Sequence, residues 1–307
     1  MRRREFLGTS ALVAAAAPAA LSQSQSAPTI FQNACMTLPY SAFSFERAIK
    51  GIQKAGYKYV AWGVTHVDDS GVRRPALDVD APPSEARVLA ARCRNIGLEP
   101  VMMFSTVNFE EPHAADAYKK RIDQAHAAGI NSIIVFGSVR GGSYADSIKS
   151  LKQAAPHAEG TNVKLLVKQH GGISATGQDC AKIIADVNHP SVKICYDAGN
   201  VLDYESHDPI PDIQKCWQDI RAFAIKDHRD FPKDQDCGAG FGEIDHYKLL
   251  MPVMRTGLTM PLSAENIFEP LNPRPTDPDQ IDQLARRSRE YIESVLSGLD
   301  RHLSASA

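Results

Sequence analysis

Six polar residues that could do chemistry follow directly on apolar runs of the sequence. They are Lys168, His170, Asp197, Asn200, Lys226 and Glu265. Carboxylates and imidazoles take up protons and bind divalent cations, and an ammonium group can polarise a carbonyl or stabilise an enediolate. These residue types could therefore bind a divalent cation, move a proton or polarise a carbonyl, and Glu265 is the candidate general base.

The spacing of these residues predicts that their side chains share one pocket. Side chains alternate along a strand, so Lys168 and His170 point to one face of their strand, and Asp197, Lys226 and Glu265 each end a strand in the same way. Charges enclosed together must compensate each other, because an isolated buried ion costs several kcal/mol. We expect Lys168 and His170 to polarise the substrate carbonyl.

Further residues are candidates for binding the substrate. Asn200 and Lys226 could bind polar groups of a ligand, and Trp62 and His66, at the end of the second predicted strand, could line the pocket with their flat rings. Trp62 fits a place in the core equally well. Asp227 fits a local ion pair with its neighbour Lys226.

Eight β-branched runs alternate with eight segments of helical period, and these elements must position the site. The predicted strands are residues 33–37, 59–62, 100–104, 132–136, 163–168, 192–197, 221–227 and 260–265. The predicted helices are residues 44–55, 84–97, 112–128, 143–159, 176–187, 210–219, 244–255 and 278–299. Eight βα units favour a closed (β/α)8 TIM barrel over an open α/β sheet, whose edge strands would need protection. No Gly-x-Gly-x-x-Gly follows the first strand, which argues against a dinucleotide fold.

The N-terminus has the layout of a signal peptide. The run RRREFL at residues 2–7 precedes an Ala-rich apolar stretch at 11–20, as in signals of the twin-arginine type. We predict a signal peptide over residues 1–26, a barrel domain over 27–307, and export to the periplasm or cell surface. The apolar stretch is too short to span a bilayer, so we expect no stable membrane insertion after cleavage.

The composition points to a small-molecule partner. With 34 basic and 36 acidic residues the formal net charge is -2, which gives no field to recruit nucleic acid. The six cysteines form no CxxC pair, so we do not expect a thiolate metal site. Homo-oligomerisation stays open.

Five motifs in order carry a resemblance to a known family. They are KQHGG at 168–172, YDAGN at 196–200, IKDH at 225–228, GAGFGEID at 238–245 and LSAEN at 262–266. Together they resemble the strand ends of the xylose isomerase-like TIM barrel (sugar phosphate isomerase/epimerase) family. The resemblance implies Glu, Asp, His and Glu on one divalent metal, with the two glutamates also moving the proton.

This chain matches the implied ligand set only in part. Asp197 and Glu265 match the aspartate and the last glutamate, but Lys168 and Ala224 stand where the first glutamate and the histidine are expected. Asn200 stands where many epimerases have a substrate-binding histidine.

Three interpretations of the site stay open. A divalent cation (Mn, Zn or Mg) could bind Asp197, Glu265 and His170, with His66 as a further ligand. Without a metal, Lys168 or Lys226 could act on the carbonyl while Glu265 or His170 moves the proton. The barrel could also bind a sugar without turning it over.

The glycine-rich loop at 238–242 lacks a following Lys-Ser/Thr, so we expect a connecting loop and not a phosphate site. A non-phosphorylated sugar or keto-sugar is the predicted substrate, with isomerisation or epimerisation as the reaction. Elimination from a 3-keto-glycoside is the enzymatic alternative, because it uses the same enolate chemistry.

Overall fold

Eight parallel strands form a closed barrel in the computed structural model, which describes residues 27–68 and 70–305. The strands are β1 Ile30–Met36, β2 Tyr59–Trp62, β3 Glu99–Asn108, β4 Ser132–Phe136, β5 Lys164–Lys168, β6 Val192–Tyr196, β7 Ile220–Ile225 and β8 Thr259–Ala264. Each strand pairs with its neighbours in chain order, and β8 closes the barrel by pairing with β1. This confirms the predicted TIM barrel. The predicted signal peptide lies outside the described residues.

Nine α-helices surround the strands in the described part of the chain. They are α1 Phe45–Lys54, α2 Pro83–Asn95, α3 Ala114–Ala128, α4 Tyr144–Ala154, α5 Gly177–Val187, α6 Ala198–Glu205, α7 Pro209–Ile213, α8 His246–Leu250 and α9 Pro278–Ala305. Every strand is followed by at least one helix, and β6 is followed by α6 and α7. Among the described helices, none has both the length and the apolar character needed to cross a bilayer.

The apolar core has two layers, one inside the barrel and one between the strands and the helices. The inner layer includes Met36 on β1, Phe104 on β3, Leu166 on β5 and Cys195 on β6. The outer layer is larger and contains the alternate strand residues packed against the helices. Because side chains alternate, residues of the same parity as Leu166 and Cys195 point into the barrel. Lys168 and Asp197 have that parity.

Local sequence explains the helix that leads away from β5. Thr176 precedes α5, and its hydroxyl accepts from the Asp179 amide while the Asp179 carboxylate accepts from the Thr176 amide. This reciprocal pair satisfies free amides at the helix start.

Three elements of the structure were not predicted from the sequence, and two predicted helices are shorter than expected. The short helix α6 was not predicted, and neither were two hairpins, one of Thr65–Val67 with Arg73–Pro75 and one of Asp227–Arg229 with Gln235–Cys237. The helix predicted at 210–219 is limited to α7 and a 3-10 turn at Trp217–Asp219. The helix predicted at 244–255 is limited to α8 and a 3-10 turn at Met251–Val253.

Candidate active site at the carboxyl ends of the strands

An ammonium group bridges two carboxylates at the mouth of the barrel. Nζ of Lys168 lies 2.8 Å from Oδ2 of Asp197 and 2.6 and 2.8 Å from the two carboxylate oxygens of Glu265. Lys168 is 2% exposed and Asp197 is 0% exposed. The three residues therefore form one buried ionic cluster that ties β5, β6 and β8 together.

The backbone explains why these three side chains meet. Lys168 is the last residue of β5, Asp197 follows β6 directly, and Glu265 follows β8, where its amide donates to the Ile225 carbonyl at 2.8 Å. Asp197 is also the N-cap of α6, and its Oδ1 accepts from the Asn200 amide at 3.0 Å. One carboxylate oxygen thus holds the helix while the other faces Lys168.

The cluster keeps Lys168 and Asp197 charged despite their burial. Burial alone would lower the pKa of Lys168, but Asp197 and Glu265 raise it above the ordinary lysine value. Burial alone would raise the pKa of Asp197, but the Lys168 and Lys226 ammonium groups lower it. At neutral pH Lys168 is therefore an ammonium and Asp197 a carboxylate.

A second lysine lines a small cavity beside the cluster. Nζ of Lys226 lies 2.6 Å from Oδ2 of Asp236, and burial, which opposes its charge, is outweighed by Asp197, Glu265 and Asp236, which raise its pKa. Lys226, Asp236, Glu265 and Arg274 line a cavity of about 190 Å³. Glu265 is thus shared between the buried cluster and a space open to a ligand.

A glycine makes room for this second lysine. A side chain at Gly199, the first-turn glycine of α6, would collide with the aliphatic stem of Lys226. The Gly199 position of the YDAGN motif therefore lets Lys226 pass beside α6 and reach the barrel mouth.

His170 lies beside the cluster and makes no direct contact with it. Its Nδ1 lies 2.9 Å from the Gly137 carbonyl, and its ring packs against Phe136 and Tyr204. Because a carbonyl only accepts, Nδ1 carries the proton and Nε2 has the free lone pair. Burial lowers the pKa of His170, so the ring is neutral at pH 7.

Asn200 and Gln169 brace the two strand ends against each other. Nδ2 of Asn200 donates to the Gln169 carbonyl at 2.6 Å, and the Asp197 amide donates to Oε1 of Gln169 at 2.9 Å. Gln169 was not predicted as a site residue. Its place between two motif residues is the signal that could have drawn attention to it.

The structure does not bring Trp62 and His66 to the cavity. Trp62 is 1% exposed and packs in the outer core layer, edge-on to Phe45. His66 uses both ring nitrogens, with Nε2 2.8 Å from Thr37 Oγ1 and Nδ1 3.1 Å from the Phe43 carbonyl. His66 thereby ties the segment after β2 to the segment between β1 and α1.

Asp227 holds the glycine-rich loop and is not the ion-pair partner of Lys226. Its carboxylate accepts from the amides of His228, Gly240 and Ile244 at 2.9 to 3.0 Å. Amides that could have cradled a phosphate are therefore occupied by a carboxylate of the chain itself.

The family is established by comparison with known proteins. A model described as Xylose isomerase-like TIM barrel matches residues 49–294. The chain belongs to this family. A search among curated proteins gave no match.

Solved structures of similar fold include epimerases and a dehydratase. The chain is similar to an L-ribulose 3-epimerase, with 16% identity, a TM-score of 0.68 and coverage of 91% of this chain and 98% of that one. It is also similar to the IolI protein with a bound zinc atom, at 16% identity, a TM-score of 0.66 and coverage of 87% and 99%. A third is the probable 3-DHS dehydratase AsbF of Bacillus anthracis, at 12% identity, a TM-score of 0.62 and coverage of 85% and 98%. At identities this low, the similarity shows the shared fold alone.

The residues present do not fit a divalent cation at the position that the family resemblance implies. A cation bound by Asp197 and Glu265 would have to share them with the Lys168 ammonium, 2.6 to 2.8 Å from both. Like charges at such a separation repel strongly in a buried site. Ala224, at the position of the expected histidine, supplies no ligand atom.

Proposed function

We propose that the chain is a sugar isomerase or epimerase that moves a proton next to the carbonyl of a non-phosphorylated sugar or keto-sugar. The observation that carries the proposal is the position of Glu265. Its carboxylate is held by the Lys168 ammonium and also borders the cavity that Lys226 lines. A base and an electrophile thus border the same space.

The partners of the two lysine ammonium groups give the lysines different roles. Glu265 is 14% exposed at its side chain, whereas Lys168 already has carboxylate oxygens of two residues around its ammonium. Lys168 is therefore a positioning residue that fixes the base. The Lys226 ammonium donates to Asp236, which leaves two of its N–H groups for a ligand, because an ammonium has three.

The proposed reaction uses these groups in order. Glu265 takes the proton from the carbon next to the carbonyl, and the electron pair moves onto the carbonyl oxygen. The Lys226 ammonium stabilises the resulting enediolate. Return of the proton to the former carbonyl carbon, while the proton of the adjacent hydroxyl passes to the former carbonyl oxygen, gives isomerisation. In epimerisation Glu265 releases the abstracted proton to solvent, and Nε2 of His170 takes up a proton from solvent and delivers it to the opposite face of the enediolate.

The charges around the cavity support a neutral substrate. Lys226 and Arg274 are balanced by Asp236 and Glu265. A phosphate group would add negative charge beside two carboxylates, while the Gly240 amide of the glycine-rich loop and the nearby Ile244 amide are bound to Asp227. A small carbohydrate without phosphate fits this balance better.

Elimination is the second candidate reaction. Loss of a leaving group from the carbon beyond the enolate, as from a 3-keto-glycoside, requires the same base and the same electrophile. The similarity to a protein described as a probable dehydratase supports this alternative.

Proton exchange with solvent tests the proposal whatever the product. The purified protein is incubated in deuterated water with a panel of keto-sugars and glycosides, and NMR follows deuterium incorporation next to the carbonyl. We expect incorporation with at least one sugar, its loss in Glu265→Gln, and its retention in the exposed control Glu269→Gln. Unchanged incorporation in Glu265→Gln would refute the assigned base, and saturable binding without any exchange would favour a sugar-binding barrel.

We also propose that the protein is exported through the RRREFL segment at residues 2–7. Replacing Arg2, Arg3 and Arg4 with lysine should retain the protein in the cytoplasm of its host, because twin-arginine export depends on the arginine pair. Cell fractionation with an antibody to the barrel measures this. Unchanged export would contradict the assigned signal type.

A further inference from the structure

A second group of ligand-type side chains lies at the hairpin that follows β7. One nitrogen of His228 and one carboxylate oxygen each from Asp203 and Asp234 lie within 4.8 Å of one another. Asp203 comes from α6, whereas His228 and Asp234 come from the hairpin segment. None of the three belongs to the Lys168 cluster.

The ring of His228 shows an unusual set of neighbours. The side chain is 1% exposed, its Nδ1 lies 3.2 Å from Oδ1 of Asp236, and its Nε2 lies 3.3 Å from Oδ1 of both Asp230 and Asp234. The Nδ1 contact is a hydrogen bond, but no hydrogen bond to Nε2 exists among the described residues. Nδ1 thus donates to Asp236, and Nε2 lies beside two carboxylate oxygens without a described hydrogen bond to either of them.

That arrangement is repulsive unless a positive charge lies between the nitrogen and the oxygens. Oδ1 of Asp203 lies 3.8 Å from Nδ1 of the same ring, so a further carboxylate adds negative charge from the other side. A metal-bound histidine commonly donates its other ring N–H to a carboxylate, which fixes the tautomer that binds the metal. Asp236 stands in that position relative to His228.

We propose that Asp203, His228 and Asp234 bind one divalent transition-metal ion, Mn²⁺ or Zn²⁺, at a site separate from the Lys168 cluster. One imidazole nitrogen and two carboxylates form a mixed donor set suited to these ions. Ligand atoms around such an ion lie about 3 to 3.5 Å apart, given metal–ligand distances of about 2.0–2.2 Å. Nε2 of His228 and Oδ1 of Asp234 already lie 3.3 Å apart, and because Asp234 is 78% exposed its side chain can move towards Asp203.

The site is connected to the cavity through one residue. Asp236 binds His228 with Oδ1 and Lys226 with Oδ2, at 3.2 and 2.6 Å. A cation on His228 would therefore fix the carboxylate that positions Lys226. Metal binding itself does not depend on the proposed reaction.

Metal binding is measured on the full mature chain after treatment with a chelator. Mn²⁺ is titrated and its free concentration read by electron paramagnetic resonance, and Zn²⁺ is then added as a competitor. We expect one ion per chain and at least a tenfold loss of affinity in both Asp234→Asn and His228→Gln. Asp234→Asn changes an exposed residue, so its effect does not depend on whether the buried His228 variant folds.

Two controls separate this site from others. Glu265→Gln alters the position implied by the family resemblance, and Asp116→Asn alters an acid that is 79% exposed on α3. Both variants should keep the wild-type affinity. The proposal is overturned if neither ion binds, if Asp234→Asn binds as tightly as wild type, or if Glu265→Gln abolishes binding.

Discussion

Replacing Lys168 with methionine removes the charge that holds the mouth of the barrel together. Methionine keeps most of the aliphatic stem but leaves Asp197, which is 0% exposed, and Glu265 without their ammonium partner. Removing one partner of a buried ion pair typically destabilises a protein by about 3–5 kcal/mol. We expect a loss of this size in the free energy of unfolding at pH 7.5.

The loss should depend on pH in a defined direction. In the wild type, burial would raise the pKa of Asp197, but the Lys168 and Lys226 ammonium groups lower it. A folded pKa below the unfolded value of about 3.9 contributes stability above that value, and this stability is lost as the pH falls through the folded pKa. In the variant the Lys168 ammonium no longer opposes the effect of burial. A carboxyl group of Asp197 or Glu265 therefore binds a proton more readily in the folded state. The difference between variant and wild type should therefore shrink as the pH falls from 7.5 towards 4.5.

Urea unfolding at pH 7.5 and 4.5 measures both effects. The control is Lys182→Met, because Lys182 pairs with Asp186 on the surface of α5 and should cost less than about 1 kcal/mol. Adding Asp197→Asn to Lys168→Met should restore part of the stability, since one uncompensated charge is gone. A loss below about 1 kcal/mol at pH 7.5, or an equal loss at both pH values, would refute the buried ion-pair reasoning.

Three further substitutions test other parts of the structure. Arg121→Met should lower the free energy of unfolding by about 2–4 kcal/mol in urea titrations. The buried guanidinium donates to the backbone carbonyls of Leu77 and Ser105, which would lose their partner. A change below about 1 kcal/mol would contradict that role. Gly242→Ala should lower the midpoint of thermal unfolding, because a Cβ there would overlap the His228 carbonyl, and an unchanged midpoint would show that the loop can shift freely. The double variant Lys168→Glu with Ala224→His should bind one more divalent ion per chain than wild type in calorimetric titrations. No gain would mean that positions 168 and 224 do not form one ligand set with Asp197 and Glu265.

The alternation of side chains along strands was enough to predict which charged residues meet. Lys168, Asp197 and Glu265 each continue the inward-facing parity of their strand, and the structure has all three within ion-pair distance. The number of βα units was equally informative about the fold. Both inferences depend only on local periodicity, which a single sequence carries.

The residues that complete the cavity could not be predicted in the same way. Asp236 reaches Lys226 because a hairpin of three-residue strands turns the chain back after β7. Such short strands carry almost no periodic signal. The helix α6 was missed for a related reason, since its first turn contains Gly199 and Asn200, which are typical of turns, and its start depends on the Asp197 cap. Trp62 ends the second strand and His66 lies just beyond it as expected, but neither lines the cavity. Trp62 packs against Phe45 of α1, and His66 contacts Thr37 and Phe43.

The charge of the cluster gives a physical reason why the glutamate expected at position 168 and the histidine expected at position 224 are both replaced. Three carboxylates with one dication, the set that the family resemblance implies, carry a net charge of -1 when the histidine is neutral. Asp197, Glu265 and the Lys168 ammonium also carry a net charge of -1. Because the ammonium takes the place of both a carboxylate and the ion, a histidine at position 224 would have nothing to bind, and the small Ala224 side chain fills the inner layer instead. The barrel thus keeps the electrostatic balance around Glu265 with residues of the chain itself, while the proposed cation at His228 lies outside that balance.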